Sequence, residues 1–266
     1  MRRSIRHFVL LVLVPAAALA DDLTVTSRVT GDEKPARTSV SYVSRDRVRM
    51  PQGDGKETIV DFRAGTMTTI DGGNRTYYVT TRQDLDRLAA RLKERMDSPE
   101  MKQARERMKD LPPEQRKSAE ALMGGLFGAV EVRKTGSVRT IAGYRCENWT
   151  ITMGELSRTE ECLSEALPFP KEAWEMYREF AESLKSLMAS FGPLANGMGR
   201  MQEKFKDMKG YPLASTTTIS IMGRTTTTTT EVTGIRRGPI PASAWEIPAG
   251  YRKVDNPMLK ALRSPK

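Results

Sequence analysis

The chain has 266 residues, with 43 lysines and arginines against 33 aspartates and glutamates, a formal net charge of +10 and a single histidine. That length suits one large β-rich domain or two small ones, and it is enough to bury a core. The basic excess fits a solvated surface, anionic headgroups or acidic partners, while the lack of a basic run interleaved with aromatics speaks against nucleic acid.

Residues 1–20 read as a cleavable export signal. Arg2, Arg3 and Arg6 precede an apolar stretch over residues 8–14, and Ala18-Leu19-Ala20 offers small residues at a cut before Asp21-Asp22. A charged start, an apolar middle of about 7–15 residues and small residues at the end make a secretory signal. The stretch is too short for a membrane span, which needs roughly 20 apolar residues. No cysteine follows the cut, so a bacterial lipid anchor there is not indicated. The expected location is the periplasm or the exterior, with the export route left open, and no integral membrane segment is expected. The only histidine, His7, lies within the signal. The mature chain then has no imidazole, which excludes histidine general bases, Ser-His-Asp and Cys-His triads and imidazole metal sites.

Residues 22–81 read as a β-meander. Short runs of β-branched and aromatic residues at 23–26, 39–43, 47–50, 58–62, 67–70 and 76–80 alternate with turn signals. Those signals are Ser44-Arg45-Asp46, the pair Gly53 and Gly55, Arg63-Ala64-Gly65, and Asp71-Gly72-Gly73-Asn74. The period then changes. Leu85, Leu88, Ala89, Leu92 and Met96 follow helical spacing, and Thr81 with Asp84 three residues later predicts a helix N-cap. A second helix is expected over about residues 100–109, and a third from Pro112-Pro113 to Gly124-Gly125. This first helical insertion runs over about residues 82–127.

Strands return at 130–132 and 138–141, with Ala142-Gly143 as a tight turn into residues 144–153 and then 157–163. A hairpin turning at Gly154 sets Cys146 directly opposite Cys162. Facing Cβ atoms in such a pair lie about 4.5–5.5 Å apart, near enough to bridge after modest adjustment. In an oxidising compartment two cysteines most simply form one disulfide, and no further ligands stand nearby for a metal.

A second helical insertion occupies about residues 168–208. Pro170 suits a first helical turn. Trp174, Tyr177, Ala181, Leu184, Met188 and Phe191 form an apolar stripe that Phe180 and Leu187 widen; Gly192-Pro193 breaks it, and Met198, Met201, Phe205 and Met208 mark another helix. Residues 212–221 and 225–235 then flank the turn Met222-Gly223-Arg224. The threonines at 225–230 read as a strand, because threonine is β-branched and the run has no proline. The stretch 255–266 is expected to be a flexible tail. The whole of residues 21–254 reads as one α+β domain, a curved antiparallel sheet carrying two helical insertions.

Three segments carry a family resemblance: Thr140-Ile141-Ala142-Gly143-Tyr144-Arg145-Cys146-Glu147-Asn148-Trp149, then Glu161-Cys162-Leu163, and the stretch from Ile240-Pro241-Ala242-Ser243-Ala244-Trp245-Glu246 to Val254. With the early meander they resemble the exported bacterial family called domain of unknown function 4412, which is similar to LolA/LolB-like half-barrels. The resemblance implies a curved sheet wrapped over helices that holds acyl chains. It supplies no catalytic residue and no cofactor.

Four functions follow in order of expectation. The first is a non-enzymatic carrier or chaperone for a lipid, an acyl chain or an acylated client, its cavity lined by Trp174, Tyr177, Phe180, Leu184, Met188, Phe191, Met198, Met201 and Phe205. The same stripe serves equally as ordinary core packing. The second is an envelope module that docks a protein partner without a small ligand. The third is Cu(I) binding through the clustered members of the chain's 15 methionines; core packing explains their spacing as well, and no metal is expected. An enzyme comes last, because Glu160-Glu161 and Asp21-Asp22 read as solvated pairs rather than acid–base dyads, and the paired glycines lack the setting of a phosphate loop.

Overall fold

Among the described residues, alternating β-branched and polar residues build twelve strands that join in one sheet. The computed structural model describes residues 22–32, 34–112, 114, 130–154, 156–167, 207–221 and 223–261. In chain order the elements are β1 (Leu23–Gly31), β2 (Lys34–Val43), β3 (Arg47–Gly53), β4 (Lys56–Asp61), β5 (Thr66–Asp71), β6 (Thr76–Thr81), α1 (Arg82–Met96) and α2 (Pro99–Lys109). Then come β7 (Val130–Ile141), β8 (Tyr144–Met153), β9 (Ser157–Ser164), β10 (Tyr211–Ile221), β11 (Arg224–Arg237), a 3-10 turn (Ala242–Trp245), β12 (Arg252–Lys253) and α3 (Pro257–Ala261). The spatial order is β12-β6-β5-β4-β3-β2-β1-β11-β10-β9-β8-β7. Two meanders are thus joined edge to edge by β1 and β11, which pair antiparallel. The sheet is curved and unclosed, and helices among the described residues are few.

The expected hairpins form with turns that their residues dictate. Ile141 pairs with Tyr144, so the loop is Ala142-Gly143, both with positive φ (49° and 83°). That is the backbone twist a two-residue hairpin needs, and glycine reaches it without strain. The two runs expected at 130–132 and 138–141 are one continuous strand, β7, whose register shifts between Lys134 and Val138. Irregular pairing there accommodates Gly136 and its polar neighbours without ending the strand.

The cysteine hairpin corrects one expectation. Its register pairs Met153 with Ser157 and Asn148 with Cys162, so the loop spans three residues, 154–156, rather than centring on Gly154. Leu156 N–H donates to the Met153 carbonyl within that loop (3.1 Å). Cys146 therefore sits diagonally to Cys162 rather than opposite it. The disulfide still forms, with the Cα atoms 5.3 Å apart and both cysteines buried. A shift of two residues leaves every side chain on its original face, because the side-chain period of a strand is two.

The core gathers at the joint of the two meanders. Leu23 pairs with Val43, Val43 with Val48, and Val48 with Val60, so four aliphatic side chains share one row on one face. Val25 (0% exposed), Val232, Leu213 and the disulfide join them. Each fully buried valine or leucine of this kind contributes about 1.5–3 kcal/mol. Gly210, just before β10, has φ +100°, and a Cβ there would lie 2.3 Å from the Ser164 carbonyl oxygen, so only glycine lets β9 and β10 approach at this point. Burial pushes the neighbouring Tyr211 phenol up to about 12.

The C-terminal segment straps across the opposite face of the first meander. Arg49 donates to the carbonyls of Ala244 (2.8 Å) and Glu246 (3.3 Å) and pairs with the Glu57 carboxylate (2.7 Å from Nε). Trp245 packs edge-on against Tyr42, ring centroids 6.3 Å apart. The chain then crosses to the far edge, where β12 pairs parallel with β6. The tail expected to be flexible instead has buried Asn256 donating to Thr80 Oγ1 (3.0 Å), followed by α3. Asparagine there caps the exit, its side-chain oxygen accepting from Met258 N–H (3.0 Å). Residues 262–266, the export signal and the third expected helix lie outside the described residues.

Candidate functional site

Directly paired residues of antiparallel strands present their side chains on the same face. The pairings therefore lay out the β7–β11 half of the sheet as rows. Lys134 pairs with Trp149, Trp149 with Glu161, Glu161 with Ser215, Ser215 with Thr230, and Thr230 with Val29. The next row toward the free hairpin ends holds Val132, Ile151, Thr159, Thr217 and Thr228. The row beyond it holds Val130, Met153, Ser157, Ile219 and Thr226. Val29 lies on the same face of β1 as buried Leu23 and Val25, so this is the face that carries the core.

Two things distinguish these rows from a solvated surface. The apolar side chains are large and only half covered: Trp149, Ile151, Met153 and Val132 are partly exposed, and Ile219 is 42% exposed. The opposite face of the same strands carries the buried disulfide and Ala214 at one end and is otherwise polar. There Arg133 pairs with Glu131 (2.7 Å) and Arg158 with Glu160 (2.8 Å), and hydroxyls meet across strands at Thr216–Thr229 (3.2 Å) and Thr218–Thr227 (3.4 Å). The threonine run thus divides by parity, with 226, 228 and 230 on the apolar side and 225, 227 and 229 on the hydroxyl ladder.

Charge on the apolar side concentrates in the Trp149 row. The Lys134 ammonium lies 5.9 Å from the centroid of the Trp149 ring and ion-pairs with Glu147, two residues before Trp149 on the same face. Such a cation over an indole face is attracted by the ring quadrupole. Glu161 is on the other side of the tryptophan. Its carboxylate makes no hydrogen bond or ion pair among the described residues, and its burial pushes the carboxyl above the usual range. A carboxylate in this setting has lost water without gaining a partner among the described residues.

The cavity lining expected from the sequence belongs to the second helical insertion. Trp174, Tyr177, Phe180, Leu184, Met188, Phe191, Met198, Met201 and Phe205 all lie outside the described residues. Met208, next to that segment, is buried. The row of Lys134, Trp149, Glu161 and Ser215 was not singled out. Its signal was present in the alternation of 157–161, but finding the partners needed the loop length of the cysteine hairpin.

Two open grooves flank the C-terminal strap. One, of about 660 Å³, is lined by Asp22, Asp46, Arg47, Arg63, Phe62 and Trp245 among others. The second, of about 490 Å³, includes Arg37, Tyr42, Arg49, Lys56 and Glu57. Their charged linings do not suit an acyl chain. No cluster of metal-ligating side chains exists among the described residues.

The family model described as "Domain of unknown function (DUF4412)" matches residues 93–251, more than half of the chain, and takes in all of β7–β11 and the strap. No curated protein matches the sequence. Among solved structures the chain is similar to PNGF-II in the C2 space group (TM-score 0.40, 7% identity, 91% of this chain and 32% of that one), and so spans about a third of its length. It is similar to an uncharacterized conserved protein from Thermus thermophilus (TM-score 0.42, 8% identity, 89% and 91% covered). It is also similar to a LolA superfamily protein from Nitrosomonas europaea (TM-score 0.21, 6% identity, 85% and 89% covered).

Proposed function

The chain belongs to the DUF4412 family, and we propose that it is a non-enzymatic carrier or chaperone of the cell envelope that shelters an apolar ligand, an acyl chain or an acylated client on the core face of a LolA-like half-barrel. One observation carries this reading. The face that is buried at the joint of the two meanders continues into β7–β11 as rows of large apolar side chains that are only half covered. Apolar area left at the water boundary favours an occupant by about 25 cal/mol per Å² covered. Hydroxyls interspersed among the apolar groups, from Thr159, Thr217 and Thr228, leave such a surface tolerant of water when empty.

Three further features support the setting. The Cys146–Cys162 disulfide fits an exported protein. No helix among the described residues is long and apolar enough to cross a membrane. With the signal removed the chain has no histidine, which favours binding over catalysis. The test is mass spectrometry of organic extracts from gently purified protein, together with uptake of a fluorescent fatty acid. Co-purifying lipid and saturable uptake are expected. Lipid-free preparations that take up nothing would end the carrier reading.

A protein-docking module is the second reading, and the terminal strand favours it. β7 ends the sheet, and its residues 133–140 are all exposed. Crosslinking in intact cells would then return one dominant protein partner.

A further inference from the structure

We propose that Trp149 and Glu161 form the polar end of the ligand face and bind the ammonium group of a single-chain amphiphile. This rests on the carrier reading and adds the headgroup chemistry. Trp149 stands between two carboxylates on one face of the sheet. Glu147 precedes it by two residues on β8, and Glu161 pairs with it from β9. On the first side the chain supplies its own cation: Lys134 lies over the indole and ion-pairs with Glu147. On the second side the same pairing of aromatic ring and carboxylate has no cation from the described residues. An alkylammonium there completes what Lys134 completes opposite.

The surroundings select for an amphiphile over a free amine. Cross-strand Cβ atoms of Trp149 and Glu161 lie about 4.5–5.5 Å apart, so one ammonium reaches both the ring and the carboxylate. From that point the alkyl tail follows the rows of Ile151 and Val132, then Met153, Val130 and Ile219, toward the hairpin ends. Lys134 is neutralised by Glu147, Ser215 is uncharged, and the next charged side chain along the row, Arg37, lies three strands beyond Ser215, past Thr230 and Val29. Among the described residues, Glu161 is therefore the charge of the row left for a ligand. Burial raises its pKa and an ammonium would lower it again, so ionisation of Glu161 and binding of the ammonium favour each other.

The test is calorimetric titration of the purified protein with decylammonium, decanoate and decanol, each below its micelle-forming concentration. Decylammonium is expected to bind about tenfold more tightly than decanoate, the scale of one charge-assisted contact. Glu161→Gln should erase that preference, and Glu161→Asp, which keeps the charge, should retain it. Equal affinities in the parent protein, or a preference that survives Glu161→Gln, would overturn the headgroup assignment while decanol binding still upheld the carrier. Failure of all three amphiphiles to bind would remove the carrier reading and this inference with it.

Discussion

Glu161 shows how a side chain suited to binding costs stability in its absence. Its pKa is raised in the folded chain because burial disfavours the ionised form. The folded state therefore holds its proton at a pH where the unfolded chain has released it. The stabilisation from that proton is complete below the unfolded carboxyl value of about 4.3 and is lost as pH rises through the folded value. Glu161→Gln does not titrate, so it should melt above the parent protein at about pH 7.5, with the gap closing by about pH 4. Thermal melts of both proteins without ligand at the two pH values check this. Equal melting temperatures at the higher pH would mean that the carboxylate is well solvated. At this scale the sequence was partly legible. It marked Glu160-Glu161 as a solvated pair, which holds for Glu160, ion-paired to Arg158 on the exposed face, but not for Glu161 on the other side of the same strand.

Elements were the most legible level, because their signals are local. Thr81 and Asp84 stand three apart, and they form the reciprocal cap expected of that spacing. Thr81 Oγ1 accepts from Asp84 N–H (3.2 Å), and an Asp84 carboxylate oxygen accepts from Thr81 N–H (2.9 Å). The Thr81 backbone N–H is the main reason that the Asp84 carboxyl lies below its usual value. Thr81→Ala should cost about 1 kcal/mol in urea denaturation at neutral pH. Because the Asp84 pKa is depressed, its share of this stability is present above about pH 4 and fades as pH falls through the folded value. Thr81→Ala keeps the backbone bond and loses the hydroxyl's bond to the carboxylate (2.8 Å), so the difference between variant and parent should narrow in acid by that bond's share alone. Loops were less legible than caps. Nothing local distinguishes a turn centred on Gly154 from one centred a residue later, since strand pairing on both sides makes that choice.

Across the whole molecule the C-terminal strap ties one half of the sheet to the chain's end. Arg49 is its anchor, with hydrogen bonds to two strap carbonyls and an ion pair to Glu57 on the adjacent strand. Arg49→Ala removes all of these together and should cost about 3 kcal/mol, since hydrogen bonds to charged groups contribute roughly 1.5–3 kcal/mol each and the site is partly exposed. Limited proteolysis should then cut first within residues 238–256, with the sheet surviving longer. Simultaneous loss of the sheet would show that the strap is part of one cooperative core. The Ile240–Val254 motif was legible as a family mark, but its mechanical role was not: its contacts lie some 195 positions away in sequence.

The order of amino acids alone determined most of the strand content, the helix cap, the Ala142-Gly143 turn and the bond between Cys146 and Cys162. Each depends on neighbours a few residues apart, or on a parity that a two-residue slip cannot change. Tertiary structure decided which strands meet, and with them the row that sets Trp149 beside Glu161 and the edge at which β1 joins β11. Those choices belong to long-range pairing, where many registers satisfy the same alternation and only the packed core selects among them.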